Sequence, residues 1–452
     1  MRRRDFLYTV GAASIVSGLR GLEVPLQAAK AADHTIRITK ASIEPIPGRV
    51  IQTTGYNGTI PGPMLRLKQG VPVTIDLVNE IDKPEFVHWH GLSTSVAVDG
   101  SGEEGSPVLA PGARRRVTFT PREAGLRWYH THSMAMADMT RGAYSGQFGF
   151  LYVEPKTDPG RYDQEIFLAG RHWEPKILHR GAPNNDWTVD YGVYTLGEHA
   201  LGHGEPIRVR EGQRVLFHLL NASATRQVNV ALPGHKFQVI ALDGNPVPTQ
   251  ASVDTVVLAV AERADVVVEM NNPGVWVMGA TRDQDRMNGM GVVIEYAGRS
   301  GEPQFVAPKQ APWDYTMFAA QHAPAPRPEP DGRFELEFHM LPDPGEPFNR
   351  WTVNGKSWPD VEPLRVKKGK RYRIALKNGN EDGHPVHLHR HLFDVVSIGD
   401  QPVSGLTKDT INVPRNTVVE VDLVADNPGN SLIHCHMQQH MDYGFKAMIE
   451  YV

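Results

Sequence analysis

PMLRLKQGVPVTIDLVN (63–79), PIRVREGQRVLFHLLN (206–221) and PLRVKKGKRYRIALKN (363–378) follow one template. In each, a glycine (Gly70, Gly212, Gly369) precedes an asparagine (Asn79, Asn221, Asn378) by nine residues. Apolar residues alternate between them: Val73, Ile75, Leu77; Val215, Phe217, Leu219; Tyr372, Ile374, Leu376. A period of two with one apolar face marks a half-buried strand. Working outward, a second motif recurs as AGLRWYHTH (124–132), NPGVWVMGA (272–280) and NPGNSLIHC (427–435), with Gly125, Gly274 or Gly429 turning into a strand. The repeat predicts an all-β chain of three similar sandwich domains, over 32–155, 156–300 and 334–452. The proline-rich stretch 301–333, which contains APAPRPEP, reads as a linker lying over the surface.

At 452 residues the chain is too long for one core, in keeping with three domains. A net charge of −4 gives no electrostatic case for nucleic acid or an anionic membrane as a partner. Residues 2–7, RRRDFL, are followed by a weakly apolar stretch interrupted at Arg20 and by small residues around Ala29 and Ala31. This resembles a twin-arginine export signal over 1–31. The precursor is then a client of the twin-arginine export machinery and the mature protein periplasmic or exported. No stable membrane anchor is expected, because a span needs ~20 apolar residues.

The histidines fall on the repeat. Nine and eleven residues after the repeat asparagine stand His88 and His90 in the first domain, and His387 and His389 in the third; the middle domain has Val230 and Leu232. Five and seven residues after the second glycine stand His130 and His132, and again His434 and His436, against Gly279 and Thr281 in the middle domain. H-x-H on a strand points both imidazoles to one face. Two such pairs per domain, brought together across a pseudo-twofold interface, would surround a metal cluster with eight nitrogen ligands. The single cysteine, Cys435, excludes an intramolecular disulfide and lies inside one pair. With His384 and His440 it makes a His₂Cys set, the ligand set of a blue-copper electron-transfer site. Structural zinc prefers closed four-ligand sets, into which ten histidines and one cysteine do not divide.

HWHG (88–91), WYHTH (128–132), HPVHLH (384–389) and HCHMQQHMDYGF (434–445) are similar to the four copper motifs of the three-domain multicopper oxidases, the laccase family. The resemblance runs from about residue 33 to the end. It implies three cupredoxin-like Greek-key domains and four copper ions: one type 1, one type 2 and two type 3. Cys435, His384 and His440 would hold type 1 copper, and His88 and His387 type 2. His90, His130, His132, His389, His434 and His436 would hold the type 3 pair. Electrons would enter by the exposed edge of His440 and pass through Cys435 to the cluster, where dioxygen takes four.

Residues of lesser rank follow from the same resemblance. The family's axial type 1 position, often Met, is Phe445 here, which cannot coordinate; Met448 is the alternative sulfur. Asp99 matches a family acid that supplies protons to the cluster. Many bacterial members carry Glu where this chain has Met441, which puts more weight on Asp99. Met134, Met136 and Met139 in SMAMADM (133–139) read as apolar packing beside the cluster rather than a Cu(I) path. His391 reads as a surface residue or a neighbour of the ligands. The implied activity is laccase-like: one-electron oxidation of phenols or aromatic amines coupled to reduction of dioxygen to water. The alternatives are a metallo-oxidase of Cu(I), Fe(II) or Mn(II), and a copper-free envelope scaffold of the same fold, which would have lost its ligands. The donor, small molecule or metal ion, is not specified by the sequence.

Overall fold

The computed structural model describes residues 31–157, 160–179, 187–309, 313–321, 327–343 and 348–452. The export signal expected over 1–31 lies, but for its last residue, outside them. Among the described residues no helix is long and apolar enough to cross a membrane.

The chain forms three pairs of packed β-sheets. In the first unit the sheet Arg49–Tyr56, His34–Ile46, Val73–Asn79, Arg114–Phe119 faces the sheet Gly62–Lys68, Phe148–Glu154, Gly125–Thr131, Val87–His90. Ile36, Ile75 and Leu77 from one sheet meet Leu65, Trp89 and Leu151 from the other. The second and third units repeat this strand order with extra strands at the edges. In all three, the repeat strand runs parallel to the unit's first strand and antiparallel to the next: Val73–Asn79, Arg214–Asn221 and Arg371–Asn378.

The two fixed letters of the repeat have physical reasons. Gly70, Gly212 and Gly369 adopt φ of 77°, 82° and 80°, the left-handed region that other residues avoid. Each asparagine is buried at the strand end and ties down the loop that follows. Asn79 Nδ2 donates to the carbonyls of Lys83 and Leu109, and its Oδ1 accepts from Ile81 N. Asn221 does the same with Arg226, Leu258 and Ser223, and Asn378 with Asp382, Val413 and Asn380. Losing such a buried partner costs about 1–3 kcal/mol, so the asparagine persists in the middle unit where the histidines do not.

The proline-rich stretch departs from expectation. Tyr315 and Phe318 are buried in the core shared by the second and third units, and Tyr315 donates its hydroxyl to Glu262 at 2.5 Å. Residues 313–321 are therefore wedged between domains, because their aromatic side chains have apolar area to bury.

A charged seam joins the first and second units. Arg66 pairs with Glu165, whose other oxygen takes His218 Nε2 at 3.1 Å, while Asp265 takes His218 Nδ1 at 2.7 Å. Burial pulls the His218 pKa down, but Asp265 and then Glu165 outweigh it and raise it to about 9. The raised value is a stabilisation on the order of 3 kcal/mol. It is fully present below about pH 6.5 and lost as pH rises through about 9. Thermal unfolding of the wild type should therefore fall off between pH 7 and 9.5 more steeply than that of His218→Gln; parallel curves would refute the assignment.

Candidate metal centre

The register of the strands builds the centre. His88 lies directly opposite His130, and His387 directly opposite His434, on neighbouring antiparallel strands. In the middle unit Val230 faces Ala280, one residue beyond the offset that gave Gly279, and neither can ligate. The first and third units then meet face to face. His88 stacks on His389 at 3.9 Å between ring centroids, and His90 on His387 at 3.7 Å. These two stacks are related by the pseudo-twofold axis, since His88 is the counterpart of His387 and His90 of His389.

All eight histidines are buried, and their nitrogens converge. Nε2 of His88 and of His387 are 3.4 Å apart, and Nε2 of His389 and of His434 are 3.1 Å apart. His132, His389 and His434 form one trio whose ligand atoms lie within 4.8 Å of one another. The rings of His90, His130 and His436 gather in a second, 5.0–5.6 Å between centroids. Burial pushes His434 down to about 4, and His130, His132 and His436 well below the usual range. The rings are thus neutral, the form that binds metal. His132 and His436 test the fit to a metal: neither nitrogen of either buried ring has a hydrogen-bond partner among the described residues. A buried unpartnered ring costs about 1–3 kcal/mol, and an ion at the centre would remove that cost.

The cysteine set lies on the other side of the same strand. Cys435 Sγ is 3.4 Å from His440 Nδ1 and 3.9 Å from His384 Nδ1. Burial raises the thiol's pKa and lowers that of His384 to about 3. Phe445 packs beside this set, its ring centroid 5.2 Å from that of His384. Met448 shares a strand face with Lys446, which reaches Glu103 of the first unit, whereas Phe445, Ala447 and Ile449 share the core of Cys435. The edge of His440 was expected to be exposed; the residue is buried, tilted against Trp351 with ring centroids 4.0 Å apart, and lines a cleft of about 850 Å³.

Two aspartates hold the outer nitrogens of the histidines. Asp99 ends the short helix Val96–Asp99; its carbonyl takes His88 Nδ1 at 3.0 Å and its Oδ2 takes His389 Nδ1 at 2.9 Å. Asp409 mirrors it: its carbonyl takes His387 Nδ1 at 2.8 Å and its Oδ1 takes His90 Nε2 at 3.0 Å. The sequence reading missed Asp409, because it follows His387 by 22 residues whereas Asp99 follows His88 by 11. It also missed Glu104, buried with Oε1 3.5 Å from His389 Nδ1; burial first, then the Asp99 carboxylate, pushes its pKa well up. His391 is buried rather than superficial, bonded to the His389 carbonyl and to Tyr451. Of the three methionines in SMAMADM only Met139 packs against the core. Met134 and Met136 are exposed, because Asp442 holds the amides of Ala135 and Met136 and turns Ala135 inward.

Three sequence models described as multicopper oxidase match residues 37–158, 173–298 and 333–451. Multicopper oxidase MmcO of Mycobacterium tuberculosis is 29% identical over 96% of this chain and 92% of its own length. Bilirubin oxidase of Albifimbria verrucaria is 26% identical over 87% and 72%. The crystal structure of a multi-copper oxidase from Pseudomonas thermotolerans superposes with a TM-score of 0.73 at 25% identity, covering 93% of this chain and all of that one. With its three matches spanning most of the described residues, its cupredoxin-like sandwiches and its converging histidines, the chain belongs to the multicopper oxidases, oxidoreductases that use copper and take dioxygen as acceptor.

Proposed function

We propose that the protein is laccase-like, oxidising phenols and aromatic amines one electron at a time and reducing dioxygen to water. The observation that carries this reading is the cleft over His440. Trp187, Phe348, Trp351 and Met437 line it, with amides from Asn349 and Gln439; its two acidic residues, Glu381 and Asp382, are both exposed. Such walls suit a flat aromatic donor better than a bare cation, which needs buried anionic oxygens.

In this reading Cys435, His384 and His440 hold type 1 copper, and His88 and His387 type 2. The trio His132, His389, His434 and the trio His90, His130, His436 each hold one type 3 ion. Copper in these sites supplies one-electron acceptance at the cleft and four-electron reduction of dioxygen at the cluster. The protein supplies the rest. Trp351 fixes the plane of His440, so its outer edge meets a ring bound in the cleft. Cys435 stands between His434 and His436 in the chain, so the two sites share a covalent path. Glu104 holds a proton beside His389, and Asp99 orients His88 and His389 around it, which makes this acid pair the proton store that dioxygen reduction needs. Export by the twin-arginine route, implied by residues 2–31, belongs to the same proposal.

Phe445 supplies the test. With no axial donor the type 1 potential should lie above that of the Phe445→Met variant, whose thioether favours Cu(II). A fall on the order of 60 mV, about tenfold for one electron, should slow oxidation of weakly reducing phenols with copper content unchanged. Redox titration of the blue band in both proteins, beside kinetics with phenols, Cu(I), Fe(II) and Mn(II), decides it. An unchanged potential would remove Phe445 from the axial position. Turnover confined to Cu(I), which the exposed Met134 and Met136 could admit, would make the protein a metallo-oxidase instead.

A further inference from the structure

His90 is held the opposite way round from five of the other histidines of the centre. His88, His130, His387, His389 and His434 each give Nδ1 to a carbonyl or carboxylate and turn Nε2 toward the centre. His90 does the reverse. Its Nε2 donates to Asp409, and its Nδ1 faces His130 Nε2 at 3.4 Å. The pseudo-twofold counterpart of this contact, His389 to Asp99, keeps the usual sense. The two aspartates also differ in what surrounds them. Asp99 neighbours Thr94 and the acid Glu104. Asp409 instead receives both arms of Arg263, NH1 at 2.7 Å and NH2 at 2.6 Å, with Arg127 at 3.4 Å. Burial raises the Asp409 pKa, but Arg263 outweighs it and holds the carboxyl below its ordinary value.

Arg263 belongs to the middle domain, which has no histidine at the repeat positions. It is wholly buried, and its own position is over-determined by Asp243: the Arg263 amide donates to Asp243 Oδ1 at 3.1 Å and NH2 to the Asp243 carbonyl. Asp243 in turn takes the Thr410 amide at 3.2 Å and pairs with Lys408 at 2.9 Å, the residues flanking Asp409. A second observation points to the same junction. Gly91, the last letter of HWHG, has φ of 83°, and a Cβ there would lie 2.6 Å from Asp409 Oδ2 and 3.0 Å from Arg263 NH2. The glycine next to His90 thus clears room for the arginine–aspartate pair.

We propose that Arg263 is a positioning residue through which the middle domain sets the cluster: its two-armed grip fixes the Asp409 carboxylate, which fixes the tautomer and rotation of His90 and so presents Nδ1 rather than Nε2. Outer groups that orient a ligating imidazole are worth about 10–100-fold in metal affinity. A planar fork does this and a point charge does not, so Arg and Lys are not equivalent here. The inference rests on the reading of the eight histidines as cluster ligands.

The test uses the full copper-loaded chain with Arg263→Met, Arg263→Lys and, as a control outside that network, Arg171→Met, a buried arginine of the middle domain that donates to the carbonyls of Ala143, Ser145 and Ala222. Copper content, the near-ultraviolet type 3 absorption, the type 2 electron paramagnetic resonance signal and the blue band are measured together during titration with a copper chelator. Arg263→Met should lose cluster copper at about 10–100-fold lower chelator than wild type, with the blue band retained. Arg263→Lys should fold, fall between the two and shift the type 2 signal; Arg171→Met should match wild type at the cluster. Cluster signals and copper retention unchanged in Arg263→Lys and Arg263→Met would overturn the proposal, as would equal loss in Arg171→Met. Should Arg263→Met fail to fold, Arg263→Lys decides alone. Wild-type protein lacking cluster copper would instead refute the ligand reading beneath it.

Discussion

Cys435→Ser should abolish the intense blue absorption and essentially all turnover with external donors, while copper bound by the eight histidines stays. The reason is the partition of the strand Ser431–Cys435. Its cysteine side chain meets His384 and His440, whereas His434 and His436 on either side face the cluster. Serine fits the buried space but gives no thiolate, and thiolate-to-copper charge transfer is the origin of the colour. Loss of the electron entry should cost at least about a thousandfold in kcat, roughly 4 kcal/mol at 1.36 kcal/mol per decade. Metal analysis should fall from about four coppers to about three. Retained blue colour, zinc in place of copper, or loss of all copper together would each contradict the assignment.

Asp99→Asn should slow dioxygen reduction about 10–100-fold and leave reduction of the blue site by donor unchanged. Asparagine keeps the shape of the side chain and an oxygen that can stand where Oδ2 takes both His88 and His389, but it can neither take up nor give a proton. It also removes the charge that helps push the neighbouring Glu104 up. During steady turnover the blue band should therefore stay bleached in the variant and coloured in the wild type, and the solvent isotope effect should grow. Stopped-flow measurement of the two half-reactions separates the steps. Equal slowing of both, or of neither, would leave Asp99 as a helix-ending residue.

The sequence made the strands and the converging histidines legible for the same reason. Both depend on local period: alternation puts Val73, Ile75 and Leu77 in one core, and puts His88 and His90 on one face. What it hid depends on pairing over long separation. Asp409 does in the third unit what Asp99 does in the first, but from a different local spacing, so no offset could align them. Arg263, Glu104 and the burial of Phe318 exist only once domains meet. The one-residue difference that sets Ala280 rather than Gly279 opposite Val230 is likewise a matter of sheet register, which the hydrophobic alternation of a single strand does not fix.

The contact between His88 and His387 spans 299 residues of chain. Half of the cluster's histidines are made early in synthesis and the other half within the last seventy residues. A growing chain can thus fold its first unit around its own core and still offer copper only half a coordination sphere. Closing so long a loop carries an entropy cost that rises slowly, about 0.6 kcal/mol per doubling, and the metal that binds only the closed form repays it by mass action, about 2.7 kcal/mol at a hundred times its dissociation constant. On the proposed ligand reading, copper is a clasp between the first and third units, and its removal should loosen the seam between them before it melts any of the three sandwiches.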